Sequence, residues 1–200
     1  KRLEKFNKKN KKILIKKTNI SKKIDVRKFI SFTYKNYKKI DVLVNNAGVY
    51  GPMGRIDKIN VDKWKSALDT NLLGSFYLIY YALPILKKNK RSKVIQLSGG
   101  GATNPTPYIN CYGASKAGVV RFVESISIEL KKFKIDINSV APGAINTSML
   151  NDVIKSGPNV VGKKIYENEL KQKKNGGASV KNCLELISFL ASKKSNGITG

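Results

Sequence analysis

Apolar residues recur along the chain with two periods, and the two periods alternate. Short runs rich in β-branched residues predict strands at Ile13–Ile20, Asp41–Ala47, Lys93–Ser98 and Lys134–Val140. Longer stretches with apolar residues three or four apart predict helices near Asp25–Lys38, Val61–Lys88, Cys111–Lys132 and Val180–Ser192. This alternation favours an α/β fold with a doubly wound parallel sheet, in three αβα layers and a single domain spanning residues 1–200. The region between Gly143 and Gly177 is less periodic.

A Rossmann-like sheet is expected to open with a strand, a glycine-rich turn and a helix whose N-terminus holds a pyrophosphate. The sequence contains no G-x-G-x-x-G turn, and the triplet Gly99-Gly100-Gly101 does not lead into a helical pattern. The first residues are typical of the end of a helix, and the closing GITG marks where a final strand would begin. We therefore expect a domain that lacks its first βαβ unit and its last strand.

Tyr112 and Lys116 lie one turn apart on the apolar stripe of the predicted helix Cys111–Lys132. A cation close to a phenol favours the phenolate, which suits proton exchange with a carbonyl or alcohol oxygen. The alternative is a lysine whose ammonium reaches solvent at the end of the stripe, with Tyr112 as core packing. Periodicity alone leaves both interpretations open.

Asn71 lies on the apolar stripe of the preceding helix, which it shares with Trp64 and Leu68. A polar amide that faces a core is either a structural group with its hydrogen bonds satisfied or an anchor for a water chain to a buried lysine. The residue types allow either interpretation.

Four motifs, taken together, resemble those of the short-chain dehydrogenase/reductase family. They are Tyr112-Gly-Ala-Ser-Lys116 for Y-x-x-x-K, Asn45-Asn46-Ala47-Gly48 for N-N-A-G, Asn71 within DTNLLG, and Pro142-Gly143-Ala144-Ile145-Asn146-Thr147 for P-G-x-x-x-T. They occur in the family's order and spacing, and the resemblance extends from Ile13 to Gly200.

The resemblance implies an NAD(P)-dependent oxidoreductase that interconverts a secondary alcohol and a ketone by hydride transfer. Tyr112 would be the general acid/base, and Lys116 would bind the nicotinamide ribose and lower the pKa of Tyr112. Asn71 would hold a water that relays protons to Lys116. A serine just past a strand would polarise the substrate oxygen. We assign that role to Ser98, although straightforward alignment to the family's paired serines puts Gly99 in this position.

The resemblance also implies a cofactor-binding set around Tyr112 and Lys116. Its other members are Asn19, Ile20, Asn45, Ala47, Gly48, Pro142, Gly143, Ile145 and Thr147. The first two would lie at the adenine, the N-N-A-G residues on the adenosine side, and the P-G-x-x-x-T residues at the nicotinamide end. The choice between NAD and NADP stays open, because the residue that usually decides it, at the end of the second strand, is expected before Lys1 or at Lys1-Arg2. We predict no metal site.

The chain is strongly basic, with 39 lysines and arginines against 13 aspartates and glutamates. Such a charge can indicate nucleic acid or an anionic membrane as partner. The excess is nearly all lysine, however, and it is spread along the chain without an arginine-rich stripe or a zinc-type cysteine spacing. No apolar run approaches the roughly 20 residues of a membrane span. We therefore expect no specific nucleic acid and no membrane partner.

The expected partner is a small-molecule carbonyl or alcohol substrate. The family resemblance further implies a homodimer or homotetramer, and the two cysteines without framework spacing fit a reducing cytoplasm. Within the enzyme class, 3-oxoacyl carrier-protein reductase and sugar or polyol dehydrogenase are the candidates. The alternative class is a non-catalytic nucleotide-sensing protein on the same fold, although a sensor would not need Tyr112, Lys116 and Asn71 together.

Overall fold

The computed structural model describes residues 13–200, and within that range it contains a parallel three-stranded sheet. The strands are β1 (Val42–Asn45), β2 (Ser92–Leu97) and β3 (Ile135–Val140), paired in the order β1-β2-β3. Every residue of β2 is buried. Such complete burial is expected of a central parallel strand that is covered on both faces.

Helices fill the crossovers and the C-terminal part of the described residues. They are α1 (Lys23–Tyr37), α2 (Val61–Leu68), α3 (Gly74–Leu86), α4 (Asn110–Leu130), α5 (Ser148–Ser156), α6 (Pro158–Val161), α7 (Lys163–Asn175) and α8 (Val180–Ala191). A π-helical turn, Asp69–Leu73, joins α2 directly to α3. Within residues 13–200, none of these helices has both the length and the apolar character needed to cross a membrane.

The sheet separates two apolar cores, as expected for the predicted αβα layers. On one face, helices α1, α3 and α4 pack against strand residues such as Val94 and Ile137. On the other face, Leu190 of α8 packs against Ile95 and Leu97. Because neighbouring residues of a strand point to opposite faces, β2 supplies side chains to both cores. The Rossmann-like fold class is thereby confirmed.

The predicted strand Ile13–Ile20 is wrong, because this segment lies in an irregular conformation. Its alternation of isoleucine and lysine suits a strand, but a strand also needs a neighbour to pair with its N–H and C=O groups. No described strand pairs with it. Instead, Leu14 N donates to the Tyr37 hydroxyl at 3.1 Å, and Ile20 packs closely against Gly74 of α3.

The remaining predicted strands and helices are confirmed, with ends that differ by a residue or two. The less periodic region after Gly143 contains α5, α6 and α7, which the sequence pattern did not predict. Gly157 and Gly162 separate these three helices with φ angles of 77° and 80°, a conformation that favours glycine. Helices α5 and α6 are therefore short, and α7 has no buried residue, so an apolar period is hard to detect in this region. The helix end predicted for the first residues lies outside the described range.

A buried ion network joins β2 and β3 at the end of the sheet where these strands begin. Lys93 Nζ and Arg91 Nη1 each lie 2.8 Å from a carboxylate oxygen of Asp136, and Lys93 also donates to Ser195 Oγ at 3.0 Å. Burial by itself raises the pKa of Asp136, but hydrogen bonds from Lys93 and Arg91 outweigh it and hold the pKa below its ordinary value. Gly197 N donates to the same carboxylate, so the network also fastens residues 195–197 to the sheet.

We expect Lys93→Met to lower the free energy of unfolding by about 3 kcal/mol at pH 7, because it leaves a buried carboxylate short of a partner. The measurement is urea unfolding, with Lys39→Met as the control. Lys39 pairs with Asp41 at 3.0 Å on the exposed surface, where removal should cost less than about 1 kcal/mol.

The pH dependence has a defined sign, since the folded-state pKa of Asp136 is depressed. Its contribution is present above the ordinary aspartate pKa of about 3.9 and is lost as the pH falls through the folded-state value. The wild-type advantage over Lys93→Met should therefore shrink in acid. Equal stability of the two proteins at pH 7 would contradict a structural role for this network.

Candidate active site

The loops that follow β1, β2 and β3 meet at one edge of the sheet, since all three strands are parallel. Ligands of open α/β sheets bind outside this carboxyl edge. Helix α4 begins beside it, so the first turns of α4 bring Tyr112 and Lys116 to the ends of the strands. The structure therefore places the two central residues of the predicted site at the expected edge.

Lys116 is buried, with 4% of its surface exposed. Its Nζ donates a hydrogen bond of 2.9 Å to the backbone carbonyl of Leu97, the last residue of β2. Burial lowers its pKa from 10.5 to about 8. The alternative of a lysine that reaches solvent along the apolar stripe is therefore wrong.

Tyr112 lies beside the lysine and packs against a second tyrosine. Lys116 Nζ is 5.7 Å from the Tyr112 ring centroid, and the Tyr50 ring meets the Tyr112 ring edge-on with centroids 4.9 Å apart. Burial raises the pKa of Tyr112 above its ordinary value of 10.0, opposite to the lowering that the resemblance implies. The physical reason is that burial of the hydroxyl disfavours the charged phenolate.

Asn71 lies in the π-helical turn, and both its amide nitrogen and its amide oxygen form hydrogen bonds. Its Nδ2 donates to the Val49 carbonyl and to Ser115 Oγ, both at 2.8 Å, and its Oδ1 accepts from Val49 N at 2.9 Å. Ser115 Oγ in turn donates to the Tyr112 carbonyl. Asn71 thus connects the loop after β1 to the first turn of α4. A relay water on Asn71 stays a prediction.

Asn45 belongs to a buried polar network that the sequence did not predict. Its Nδ2 donates to Ser75 Oγ at 2.9 Å and to Gln96 Oε1 at 2.7 Å. Gln96 Nε2 donates to the Leu97 carbonyl at 3.2 Å, the same oxygen that Lys116 binds. The only sequence signal for Gln96 is an amide inside the otherwise apolar run VIQL. The Asn45 side chain faces this interior network, and its predicted place on the adenosine side remains untested.

Small residues mark the loop after β1 close to Lys116. A Cβ added to Gly48 would lie 3.4 Å from both Lys116 Nζ and Asn71 Oδ1, so the backbone of Gly48 lies close to both polar atoms. Ala47 is exposed at the same edge of the sheet. These positions allow a ligand to approach the backbone closely.

The loop after β3 lies at the same edge and is fastened by the C-terminal helices. Gly143 has a φ of 82°, and Ile145 forms an antiparallel bridge with Gly177. Pro142 is half-buried, whereas Thr147 is exposed at the start of α5. The structure places this predicted nicotinamide loop at the same edge of the sheet as the loop after β1, and contact with a cofactor is not tested.

Asn19 and Ile20, the residues predicted at the adenine, precede α1. Asn19 Oδ1 accepts hydrogen bonds from Ser21 N and Ser21 Oγ at 3.0 and 2.7 Å, which stabilises the turn into the helix. Ile20 packs against the core formed with α3. Both side chains therefore have local structural roles, and their contact with adenine stays a prediction.

Ser98 extends the pairing of β2 with β3, since Ser98 N donates to the Val140 carbonyl at 2.8 Å. Its Oγ is buried and has no hydrogen-bond partner among the described residues. Gly99 instead faces the tyrosine, because a Cβ added there would overlap the Tyr112 hydroxyl oxygen. At the end of β2, residue 99 and not residue 98 therefore faces Tyr112.

A cavity of about 650 Å³ adjoins this edge, between the loop after β1, helix α2 and helix α5. Its lining mixes polar groups such as Thr70 and Asp152 with apolar ones such as Met53. Tyr50 lines it as well and separates it from Tyr112. Burial, with a smaller contribution from Glu169, raises the pKa of Tyr50 to about 12, so its hydroxyl stays protonated at neutral pH. No sequence signal singled out Tyr50.

A parallel α/β sheet with a buried lysine, a tyrosine one turn away and a buried asparagine at its carboxyl edge places the chain among the doubly wound α/β proteins, which bind their ligands at this edge. Comparison with known proteins makes the assignment specific. The family model described as short chain dehydrogenase matches residues 1–157, and the chain belongs to this family.

Individual relatives agree with this assignment. The chain is 32% identical over 191 residues to a 3-oxoacyl-[acyl-carrier-protein] reductase of Buchnera aphidicola, covering 92% of this chain and 72% of the relative. It is 38% identical over 125 residues to 11-beta-hydroxysteroid dehydrogenase-like 3 of Arabidopsis thaliana, covering 62% of this chain but only 40% of the relative. The crystal structure of the KRED1-Pglu enzyme shares the fold, with a TM-score of 0.87, 24% identity, and coverage of 99% of this chain and 84% of that one.

We expect the stability of Lys116→Met, relative to the wild type, to depend on pH. The folded-state pKa of about 8 lies below the ordinary value of 10.5, so burial of the charged lysine costs stability at pH 7 and the cost declines as the pH rises. Between pH 7 and pH 9.5, the wild type should gain about 2 kcal/mol on the variant in urea unfolding.

Lys131→Met is the matched control, because it removes one charge from an exposed position directly after α4. The control should show only the small, general effect of one lysine fewer on a basic chain. A difference between wild type and Lys116→Met that stays constant from pH 7 to pH 9.5 would mean that the ammonium is solvated in solution.

Proposed function

We propose that the protein is an NAD(P)-dependent oxidoreductase that interconverts a secondary alcohol and a ketone, with Tyr112 as the general acid/base. The observation that carries the proposal is the buried Lys116 beside Tyr112 at the carboxyl edge of the sheet. A lysine is rarely buried without a charged partner, and perturbed groups of this kind cluster at functional sites. A non-catalytic nucleotide sensor would have no use for this arrangement.

The residues around the edge fit a nicotinamide cofactor. Gly48, Ala47 and Gly143 offer backbone without bulky side chains, and Lys116 Nζ lies within 3.4 Å of the space that a side chain at Gly48 would fill. Lys116 would hold the ribose hydroxyls, and Thr147 would hold the carboxamide. When bound, the nicotinamide would donate or accept the hydride. Both NAD and NADP remain candidates.

Tyr112 would exchange a proton with the substrate oxygen. The raised pKa of its hydroxyl keeps it protonated at neutral pH, which suits a proton donor in the direction of ketone reduction. Lys116, with a pKa of about 8, is mostly cationic at pH 7 and stabilises the phenolate left after proton transfer. Asn71 would position the tyrosine, because it bonds Ser115, which bonds the Tyr112 carbonyl.

The substrate would be a small carbonyl or alcohol compound that enters through the adjoining cavity. Hydroxyls of Ser156 and Thr70 and the carboxylate of Asp152 could bind the hydroxyls of a sugar or polyol. Met53 and Val160 could equally contact the chain of a 3-oxoacyl group. Both substrate classes are therefore retained, and a turnover screen over both would separate them.

A homodimer or homotetramer is part of the proposal. The long helices carry apolar side chains that are at least 39% exposed, among them Leu73, Phe76, Tyr80 and Ile128. Exposed apolar side chains on one surface often mark an interface between subunits, which supports this part of the proposal. Light scattering coupled to gel filtration would give the number of subunits. A cytoplasmic location stays a prediction from cysteine usage, with Cys111 and Cys183 both free thiols.

We expect Tyr112→Phe to lower kcat by about 10²- to 10⁴-fold in the full gene product, the range typical of a lost general acid/base. Affinity for NADH or NADPH, followed by nucleotide fluorescence, should change less than about threefold. Tyr34→Phe is the control, because the Tyr34 ring on α1 lies beside Lys88, at the end of the sheet opposite to the carboxyl edge, and this variant should keep full turnover. A Tyr112→Phe enzyme with near-normal kcat would overturn the assignment of Tyr112.

A further inference from the structure

The three consecutive glycines after β2 have different surroundings. A Cβ added to Gly99 would overlap the Tyr112 hydroxyl oxygen and lie 3.1 Å from Tyr112 Cζ. At Gly101 it would lie 3.1 Å from Gly113 Cα and 3.2 Å from Tyr112 Cδ1. At Gly100 it would meet nothing within 4 Å. The loop therefore rests on Tyr112 at Gly99 and Gly101, and Gly100 faces open space.

Position 99 requires glycine because there is no room for a side chain, and not because of its backbone conformation. Gly99 has a φ of 172° and a ψ of 168°, an extended conformation that any residue adopts. An alanine or serine would therefore suit the backbone here but collide with the Tyr112 hydroxyl. The glycine lets this hydroxyl lie directly against the backbone.

Ser98 does not supply the hydroxyl that Gly99 lacks. Its Oγ is buried and without a hydrogen-bond partner in residues 13–200, and its N–H is used in the ladder with Val140. Neighbouring residues at the end of a strand point to opposite sides, so the side that faces Tyr112 belongs to residue 99. In this structure the Tyr112 hydroxyl has no serine hydroxyl facing it from the end of β2.

We propose that Gly99 is a positioning residue, because the absence of a side chain lets the Tyr112 hydroxyl lie against its backbone. In this position Tyr112 alone both polarises and protonates the substrate oxygen. A side chain at position 99 displaces Tyr112 and impairs the reaction, even when that side chain is a serine. The inference rests on the proposed function, and it replaces the sequence-based assignment of Ser98 as the polarising group. Alignment with the family's paired serines leads to the opposite expectation for Gly99→Ser, which is a gain in turnover.

The test compares Gly99→Ser and Gly99→Ala with Gly100→Ser in the full gene product. We expect both Gly99 variants to lose about 10²-fold in kcat/KM, the scale for a catalytic group displaced by about 1 Å. Gly100→Ser adds the same side chain one residue further along, in open space, and should stay within about threefold of the wild type. A Gly99→Ser enzyme with turnover equal to or above the wild type would overturn the proposal.

Ser98→Ala tests the same proposal without a steric clash at position 99. Loss of one oxyanion donor commonly costs 10²-fold or more in kcat, whereas removal of a buried, unpaired hydroxyl leaves the reaction intact. We expect a change below about threefold. A loss of about 10²-fold would mean that Ser98 polarises the substrate oxygen, and it would overturn the proposal.

A readout that does not depend on activity separates this proposal from the proposed function. In NMR spectra of protein labelled with ¹³C-tyrosine, the ring resonances of Tyr112 can be assigned because they are absent from the Tyr112→Phe variant. They should shift in Gly99→Ala and stay in place in Gly100→Ser. Equal turnover of wild type and Tyr112→Phe would contradict the proposed function. Unshifted Tyr112 resonances in Gly99→Ala would contradict the proposal that Gly99 positions the Tyr112 ring.

Discussion

The hydrogen bond from Lys116 Nζ to the Leu97 carbonyl is the contact on which the candidate site depends. It joins the first turns of α4 to the end of β2 and thereby fixes Tyr112 at the carboxyl edge of the sheet. A neutral carbonyl compensates a buried ammonium only in part, which is why burial lowers the pKa of this lysine to about 8. The molecule thus holds a cation close to the point where a tyrosine hydroxyl would exchange its proton.

Two branches of buried hydrogen bonds support this contact. One runs from Gln96, which shares the Leu97 carbonyl, to Asn45 on β1. The other runs from the π-helical turn through Asn71 and Ser115 to the Tyr112 backbone. Buried networks of this kind rigidify a site when their members are satisfied. Asn45 Oδ1 is buried without a partner among the described residues, so the first branch is satisfied only in part.

Sequence pattern predicted the layers well, because β-branched runs and helical periods record burial directly. It failed at Ile13–Ile20, where alternation carries no information about whether a partner strand is present. The position of Lys116 on the apolar face of its helix could be predicted from the sequence. Its burial could not, because periodicity shows which face of a helix a residue occupies and not how far the side chain lies from solvent. The only sequence signal for Gln96 was an amide within an apolar run, and the π-helical turn had no sequence signal. The choice between Ser98 and Gly99 depends on which side of the strand end faces α4. The sequence does not show which of two adjacent residues points to that side.

Two lysines are buried among residues 13–200, Lys93 on β2 and Lys116 on α4, and they show how a structural ion pair differs from a charge available to a ligand. Lys93 is 5% exposed, and it lies against the Asp136 carboxylate, which Arg91 and the Gly197 amide also bind. Its charge is neutralised within the protein, at the end of the sheet where β2 begins. Lys116 is equally buried but has only a neutral acceptor in the described structure, at the opposite end where β2 finishes. A buried charge without a counter-charge would be stabilised by an incoming oxygen ligand, which supports the proposal that binding and proton transfer occur at the carboxyl edge.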